Sequence, residues 1–241
     1  MLTIVLPKEH GAWAMLILPF MVSLAVHEQN VLQLPLFLGM FFLYLSLYPL
    51  MMILRNKQNA QEYSKWLVGY GTVAIVFLGI PLMYYPQLLY LGVLLIPLLT
   101  LNMYFTRLRR ERELINNFSA VAGLGLGAVA CGYLAAGQWT ITSLWIWLLC
   151  VVFFMGSVFF VKSMLREKNN PVFQPISWGY HVGVLLIAFL FTNGWLLVLA
   201  YVPSLFRAVW GSGRALAPLQ IGQLEIVNSL WFFIFVTAYF K

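Results

Sequence analysis

Long apolar segments joined by short polar connections restrict the fold of this sequence more than any other feature. Each segment approaches the run of roughly 20 apolar residues that a helix needs to cross a hydrocarbon core of ~30 Å. In lipid the backbone must satisfy its own hydrogen bonds, so only helices and closed barrels span a membrane. The alternation of polar and apolar residues that barrel strands show is absent. The sequence therefore predicts an all-α polytopic membrane protein.

Composition excludes a soluble domain. Hydrophobic residues make up 62% and charged residues 9% of the 241 residues, whereas about 25% of a typical soluble domain is charged. No linker or low-complexity stretch interrupts the chain, so we expect residues 1–241 to form a single transmembrane domain. The apolar stretch at 11–26 follows Lys8 and Glu9, and we interpret it as a retained first span rather than a signal peptide.

We expect nine membrane-spanning helices. The region 175–210 is compatible with one long helix or two short ones, and charge decides between them. Lys162 precedes the region and Arg207 lies near its end, and the positive-inside bias favours the cytoplasmic side for both. Two helices across the membrane, rather than one, place both residues on the cytoplasmic side. The nine predicted spans cover about residues 9–26, 31–54, 64–84, 87–106, 114–136, 141–165, 176–192, 195–210 and 219–240.

The distribution of basic residues predicts the topology. With nine spans, all of the 14 Lys and Arg residues except Lys241 fall on one side of the membrane. The bias predicts a cytoplasmic amino terminus and a carboxyl terminus on the opposite side of the membrane. Orientation and contact with anionic lipids then explain the formal net charge of +7. We therefore expect membrane lipids as partners, and no nucleic acid.

The metal-binding residue types are few. Cys131 and Cys150 lie in separate apolar segments without the spacing of metal ligands, so we expect buried thiols. His10 and His181 in principle offer axial ligands to a haem, but two histidines in nine helices rarely meet that need. Aspartate is absent from the whole chain. We expect neither a metal nor another cofactor.

The first cluster of candidate ligand-binding residues is Lys8, Glu9, His10 and Trp13, at the start of span 1. Ionisable groups at membrane depth are costly, which makes them functional candidates. A head-group or anion site is one interpretation, with His10 as donor or proton carrier. The alternative is an interfacial anchor, because Trp and Lys favour membrane surfaces.

A second cluster follows span 2 and contains Arg55, Asn56, Asn59 and Glu62. Their spacing of three to four residues places them on one face if the helix continues. The alternative is a solvated loop.

A third cluster lies at the end of span 6. Lys162 and Arg166 are one turn apart and share a helix face, which suits a phosphate. Lys162 lies inside the apolar limit, from which its side chain can extend to the interface. His181, about a turn into span 7, belongs to the same leaflet. Anchoring is the alternative function of these residues.

The fourth cluster is Arg207 with Glu225 and Asn228. A carboxylate in an otherwise apolar helix needs a cation, and Arg207 is the nearest one along the sequence. A buried structural ion pair is the alternative to a ligand site. The basic residues at 107–112 are most simply topology determinants, although phosphate binding is open to them too.

Several motifs resemble the YwiC-like family of bacterial membrane proteins. They are Pro7-Lys8-Glu9-His10-Gly11-Ala12-Trp13, the stretch 107–117, Val161-Lys162-Ser163-Met164-Leu165-Arg166-Glu167 and Ile221-Gly222-x-x-Glu225-Ile226. The resemblance spans nearly the whole chain. It implies a multi-pass protein of the bacterial plasma membrane and brings no assigned activity.

A more distant resemblance is to the UbiA prenyltransferase superfamily, with nine helices and polar loops after spans 2, 4 and 6. It implies helices around a cytoplasm-facing cavity. In that superfamily, Asp-rich motifs after spans 2 and 6 hold Mg²⁺ against an isoprenyl diphosphate. This chain has no aspartate, and only Glu62 and Glu167 lie in the matching loops. Since Mg²⁺ prefers carboxylate oxygens, the scaffold is expected but the Mg²⁺-dependent transfer reaction is in doubt.

We therefore expect a cavity that binds the head group of an anionic lipid-like molecule, an isoprenyl phosphate or a phospholipid. His10, Lys162, Arg166 and Arg207 are expected to contact the head group, with Glu225 orienting Arg207 or a proton. One alternative is a UbiA-like prenyltransferase with an altered metal site at Glu62 and Glu167. Others are a proton-coupled transporter that uses Glu225, His10 and His181, or a structural subunit.

Overall fold

The computed structural model describes residues 5–7, 10–55, 60–168, 170–191, 194–212, 214 and 216–241, with His10 described by its backbone alone. Helices dominate these residues, and no strand occurs among them. In chain order they are α1 (His10–Val26), α2 (Gln33–Arg55), α3 (Ala60–Tyr84), α4 (Leu89–Arg107), α5 (Leu114–Gly125), α6 (Gly127–Ala136), α7 (Ile141–Leu165), α8 (Phe173–Phe189), α9 (Gly194–Gly211) and α10 (Pro218–Phe240).

The helices confirm an all-α polytopic membrane fold. Seven helical segments are long and apolar enough to cross a membrane, counting α5 and α6 as one continuous segment and adding the turn Pro86–Leu88 to α4. The other two, α1 and α8, have 17 residues each. Each predicted span thus corresponds to a described helical segment. Span 5 differs from its prediction in having a break at Leu126, between α5 and α6.

Local chemistry explains several helix ends. α6 ends before Gly137, which has a φ of 67° and so takes the left-handed conformation that glycine adopts without strain. Thr140 caps α7 by accepting a hydrogen bond from the backbone N–H of Ser143 at 3.2 Å. Pro218 opens α10, at a position where a missing N–H costs nothing.

The region 175–210 contains two antiparallel helices, as the charge distribution predicts. α8 ends at Phe189 and α9 begins at Gly194. The indole N–H of Trp178, near the start of α8, donates to the carbonyl of Ala208, near the end of α9, at 3.1 Å. This contact requires the two helices to run in opposite directions.

The segment α5–α6 lies at the centre of the bundle, and α3 and α4 lie at its edge. In the segment 114–136, 72% of the most apolar stretch is buried, against 17% for α3 and 11% for 86–107. The largest apolar core joins α1 with α5 to α10, and its aromatic centre stacks Phe153 on Phe232 with ring centroids 4.1 Å apart. We call the end of the bundle where α2, α4 and α7 end and α5 begins the charged end.

Candidate functional site

A cavity of about 940 Å³ lies between helices α2, α3 and α4 and the rest of the bundle. Helices α2, α3 and α4 line one side, and α1, α5, α6 and α7 line the other. Glu225 and Ser229 of α10 contribute to the wall as well. The cavity reaches the charged end, where the loop between α4 and α5 lies against it.

Most of the cavity wall is apolar. Leu36 and Arg55 both line it and are 19 residues apart on α2, which corresponds to about 28 Å along a helix. The cavity therefore extends over a distance close to the ~30 Å of a hydrocarbon core. Its apolar lining includes Leu16, Leu36, Met40, Leu43, Leu47, Met51, Leu78, Leu82, Leu88, Leu91, Leu95, Leu98, Leu99 and Leu124.

Basic side chains line the cavity at the charged end. They are Arg55, Arg109, Arg112, Lys162 and Arg166. Glu111 accompanies them in the loop, and its Oε1 lies 3.8 Å from Nη1 of Arg55. That ion pair is half-exposed and so contributes little to stability. The other carboxylate that lines the cavity among the described residues, Glu225, is paired with Arg207. Positive charge therefore exceeds negative charge at this end of the cavity.

The side chains of Lys162 and Asn116 donate hydrogen bonds to two adjacent peptide groups of the loop between α4 and α5. The ammonium of Lys162 donates to the carbonyl of Arg112 at 3.0 Å, and the amide nitrogen of Asn116 donates to the carbonyl of Glu111 at 2.7 Å. Because these carbonyls belong to consecutive residues, the two side chains approach the same part of the loop from α7 and α5. The loop backbone, Lys162 and Asn116 thus form one local structure.

The loop begins with an unusual backbone conformation at Arg109. Its φ of 56° makes it the residue other than glycine with positive φ among those described. The N–H of Arg110 donates to the carbonyl of Phe105 at 2.9 Å and that of Arg109 to Thr106 at 3.0 Å. This is the hydrogen-bond pattern of a Schellman motif, in which glycine normally takes the left-handed position. Arginine at that position carries strain and places a cation on the cavity.

A row of polar side chains continues from the loop into the membrane region. The amide nitrogen of Asn102 donates to the hydroxyl of Ser119 at 2.8 Å, and that hydroxyl donates to the carbonyl of Asn116 at 2.8 Å. Asn116 is 7% exposed, and its Oδ1 has no hydrogen-bond partner among the described residues. All three side chains line the cavity.

A second group of polar residues lies among α7, α9 and α10: Ser157, Ser204, Arg207, Glu225 and Asn228. We call it the sealed cluster because Arg207 is buried within it, and two of its members, Ser157 and Glu225, also line the cavity. Arg207 is 4% exposed and forms an ion pair with Glu225. Its Nη2 donates to the hydroxyl of Ser157 at 3.2 Å, and its guanidinium carbon lies 4.7 Å from the ring centroid of Phe160. Asn228 and Ser204 share hydrogen bonds of 3.0 and 3.3 Å.

His181 belongs to neither group. It is buried, its Nδ1 lies 2.7 Å from the carbonyl of Ser177, and its Nε2 has no described partner. It faces a separate space of about 10 Å³ that Tyr180, Tyr201 and Ser204 also line. A space of that size is close to the minimum for one water molecule.

The cavity includes some of the predicted site residues and not others. Lys162, Arg166, Arg55 and Glu225 line it. Arg207 differs from the expectation of a head-group ligand, because the guanidinium turns towards Glu225 and the core. Asn228 and His181 also lie away from it.

Of the remaining predicted residues, Trp13 and Glu62 are described and do not line the cavity. Trp13 packs on Tyr44, a cavity residue, with ring centroids 5.3 Å apart. Glu62 is exposed on α3. Lys8, Glu9, Asn56 and Asn59, together with the side chain of His10, lie outside the described residues.

Several cavity residues were not among the predicted ligands. They are Asn102, Arg109, Glu111, Arg112, Asn116 and Ser119. The arginines resemble simple topology determinants in the sequence. The sequence does offer a sign of the asparagines, because Asn102 and Asn116 interrupt otherwise apolar segments on either side of the same loop.

Comparison with known proteins decides the family. Residues 6–132 match the family described as YwiC-like protein, which is more than half of the chain. The chain belongs to the YwiC-like family. The protein described as "Uncharacterized protein YwiC" from Bacillus subtilis is 40% identical over 227 residues, covering 94% of both chains. An "Uncharacterized protein" of Haemophilus influenzae is 32% identical over 231 residues, covering 96% of both.

The YwiC-like match includes most of the cavity. Residues 6–132 contain α1 to α5 and the larger part of α6, and these supply every lining helix apart from α7 and α10. No solved structure matches the chain. The resemblance to the UbiA superfamily therefore stays a prediction.

Proposed function

We propose that this YwiC-like protein binds an anionic lipid in the cavity. The phosphate lies at the charged end, and the hydrocarbon chain lies along the leucine and methionine wall. The observation that carries the proposal is the shape of one continuous space, basic at one end and apolar over the rest of its length. A single amphipathic molecule matches both parts.

The basic residues suit a phosphate. Guanidinium groups bind phosphate oxygens through pairs of parallel hydrogen bonds, and an ammonium adds a compact charge. Arg109 and Arg112 belong to the loop and Lys162 and Arg166 to the end of α7. Groups from two sides of the cavity therefore favour an anion between them. The ligand class includes isoprenyl phosphates and phospholipids.

We further propose that the charged end lies in the cytoplasmic leaflet of a bacterial plasma membrane. The support is the sequence distribution of Lys and Arg, all of which except Lys241 fall on one side of the predicted topology. The amino terminus is then cytoplasmic and the carboxyl terminus lies outside. The bound lipid comes from the inner leaflet.

Binding has more support than the alternative activities. For a prenyltransferase, Glu62 and Glu167 would hold the metal, but Glu62 is exposed on α3 and Glu167 accepts a hydrogen bond from Asn170 at 3.0 Å. Neither carboxylate lines the cavity. For a proton-coupled transporter, Glu225 faces the cavity but is paired with Arg207, while His181 faces a different space.

Native mass spectrometry of the purified protein tests the proposal. We expect the protein to retain phosphatidic acid and an isoprenyl monophosphate in preference to phosphatidylcholine. A hydrogen bond to a charged group contributes about 1.5–3 kcal/mol, so Lys162→Met should weaken retention of both anionic lipids by about tenfold or more.

Lys65→Met is the matched control, since Lys65 is an exposed lysine on α3 outside the cavity. We expect retention in this variant to equal that of the natural protein. Circular dichroism should show that both variants keep their helical content. Equal retention of phosphatidylcholine and the anionic lipids, or unchanged retention in Lys162→Met, would contradict the proposal.

A further inference from the structure

The side-chain amide of Asn116 has a hydrogen-bond partner for its nitrogen but none among the described residues for its oxygen. Its nitrogen donates to the carbonyl of Glu111 at 2.7 Å, which fixes the orientation of the amide because only the nitrogen can donate to a carbonyl. The oxygen then faces away from that contact and has no partner among the described residues. A buried acceptor without a partner is uncommon in native proteins and needs an explanation.

Nearby polar groups do not supply the missing donor. The amide nitrogen of Asn102 contacts the carbonyl of Leu98 and the hydroxyl of Ser119, each at 2.8 Å. The hydroxyl of Ser119 donates its proton to the backbone carbonyl of Asn116. The donors closest along this row are therefore already used, and the side-chain oxygen of Asn116 is a buried acceptor without a donor on a residue that lines the cavity.

The open acceptor lies beside the basic residues. Asn116 and Lys162 contact the carbonyls of Glu111 and Arg112, which belong to adjacent residues. A molecule whose phosphate contacts Lys162 therefore lies against the same stretch of loop that Asn116 holds. To bind Asn116 it needs a hydrogen-bond donor, because the amide oxygen only accepts.

We propose that Asn116 binds a hydroxyl group on the head group of the lipid, so that the cavity selects hydroxylated phosphodiesters such as phosphatidylglycerol. This inference rests on the proposed function, because it assumes an anionic lipid in the cavity. An ionised phosphodiester oxygen presents only acceptors and cannot satisfy Asn116. A glycerol hydroxyl a few bonds from the phosphorus supplies the donor.

The test compares two lipids with the same charge and the same acyl chains. Phosphatidylglycerol has head-group hydroxyls, whereas phosphatidylethanol is a phosphodiester without any. In competition measured by native mass spectrometry at pH 8, we expect the natural protein to retain phosphatidylglycerol about fivefold better, as one net hydrogen bond gives. Equal retention of the two lipids would overturn the inference.

Two variants separate Asn116 from the basic residues. Asn116→Leu should bring the ratio of the two lipids to about one and still retain both over phosphatidylcholine. Lys162→Met should weaken both lipids and leave their ratio unchanged. If Asn116→Leu weakens both lipids equally and keeps the ratio, Asn116 only holds the loop and the inference is wrong.

The outcomes also distinguish this inference from the function on which it rests. If neither anionic lipid is retained over phosphatidylcholine, the proposed function fails. If both are retained equally well, the cavity binds anionic lipids and only the role of Asn116 fails. The comparison in the natural protein gives this result even if Asn116→Leu does not fold.

Discussion

The cavity and the sealed cluster both bring polar side chains into an apolar bundle, but they arrange them differently. In the sealed cluster Arg207 has Glu225 as its counter-ion, and Ser204 and Asn228 bind each other. At the cavity, Lys162 and Asn116 hold loop backbone and border open space. Arg207 therefore differs from Lys162 in having a close counter-ion, whereas Lys162 contacts loop backbone and borders open space.

The same distinction explains why Arg207 is a poor candidate for a head-group ligand. Removing a charge from water is costly, and a close opposite charge offsets much of that cost. Glu225 supplies this charge to Arg207 across α9 and α10. The basic residues at the charged end are instead exposed or half-exposed and line the cavity, so an anion that enters the cavity meets them.

The comparison predicts its largest effect for Arg207→Met. Removal of one member of a buried ion pair leaves the other charge without compensation and costs about 3–5 kcal/mol. We expect thermal unfolding in detergent to show a decrease in Tm on the order of 10 °C. The double variant Arg207→Met/Glu225→Leu should recover part of this loss.

Lipid retention by folded Arg207→Met, measured at low temperature, supplies the contrast. We expect it to fall much less than in Lys162→Met, because Arg207 lies outside the cavity wall and only its partner Glu225 lines the cavity. If instead the variant kept its Tm and lost lipid retention, the two regions would have the reverse of the roles assigned to them.

The variant Gly92→Phe tests whether the apolar part of the cavity holds the acyl chain of the lipid. Gly92 lines the cavity near the start of α4, and a Cβ atom added there would meet nothing within 4 Å. A phenylalanine there has room to occupy the apolar part, far along α4 from Arg107 and the charged end. We expect native mass spectrometry to show about tenfold weaker retention of long-chain phosphatidic acid, which is about 1.4 kcal/mol.

Short-chain phosphatidic acid should bind this variant as it binds the natural protein, since its chain does not reach Gly92. Gly183→Phe is the matched control, because Gly183 lies on α8, outside the cavity, and also has no neighbour within 4 Å of an added Cβ. Equal loss of both chain lengths would indicate that Gly92→Phe acts on the fold rather than on the apolar part of the cavity.

The sequence predicts the helices well because hydropathy and charge determine them locally. The observed bounds of α7, Ile141–Leu165, equal the predicted span, and the separation of α8 from α9 follows from charge alone. Site residues are harder to predict because they depend on how each helix is rotated. Lys162 and Arg207 both lie towards the same end, yet one contacts the loop and the other the core. Helices that are apolar on all sides give little periodicity from which to read that rotation.

The smallest effect is expected for Arg109→Gly, which separates the conformation of the loop from its charge. A residue other than glycine in the left-handed region costs about 1–2 kcal/mol, and the greater freedom of glycine in the unfolded chain offsets part of this. We therefore expect the free energy of unfolding to rise by about 0.5–1 kcal/mol while retention of phosphatidic acid falls several-fold.

Arg110→Gly is the control, because Arg110 is exposed, pairs with Glu113 at 2.7 Å and does not line the cavity. Stability and lipid retention that moved in the same direction would mean that Arg109 maintains the loop without contacting the lipid. Opposite changes would show that the strain at Arg109 places a charge where the phosphate binds, which no residue of the sealed cluster does.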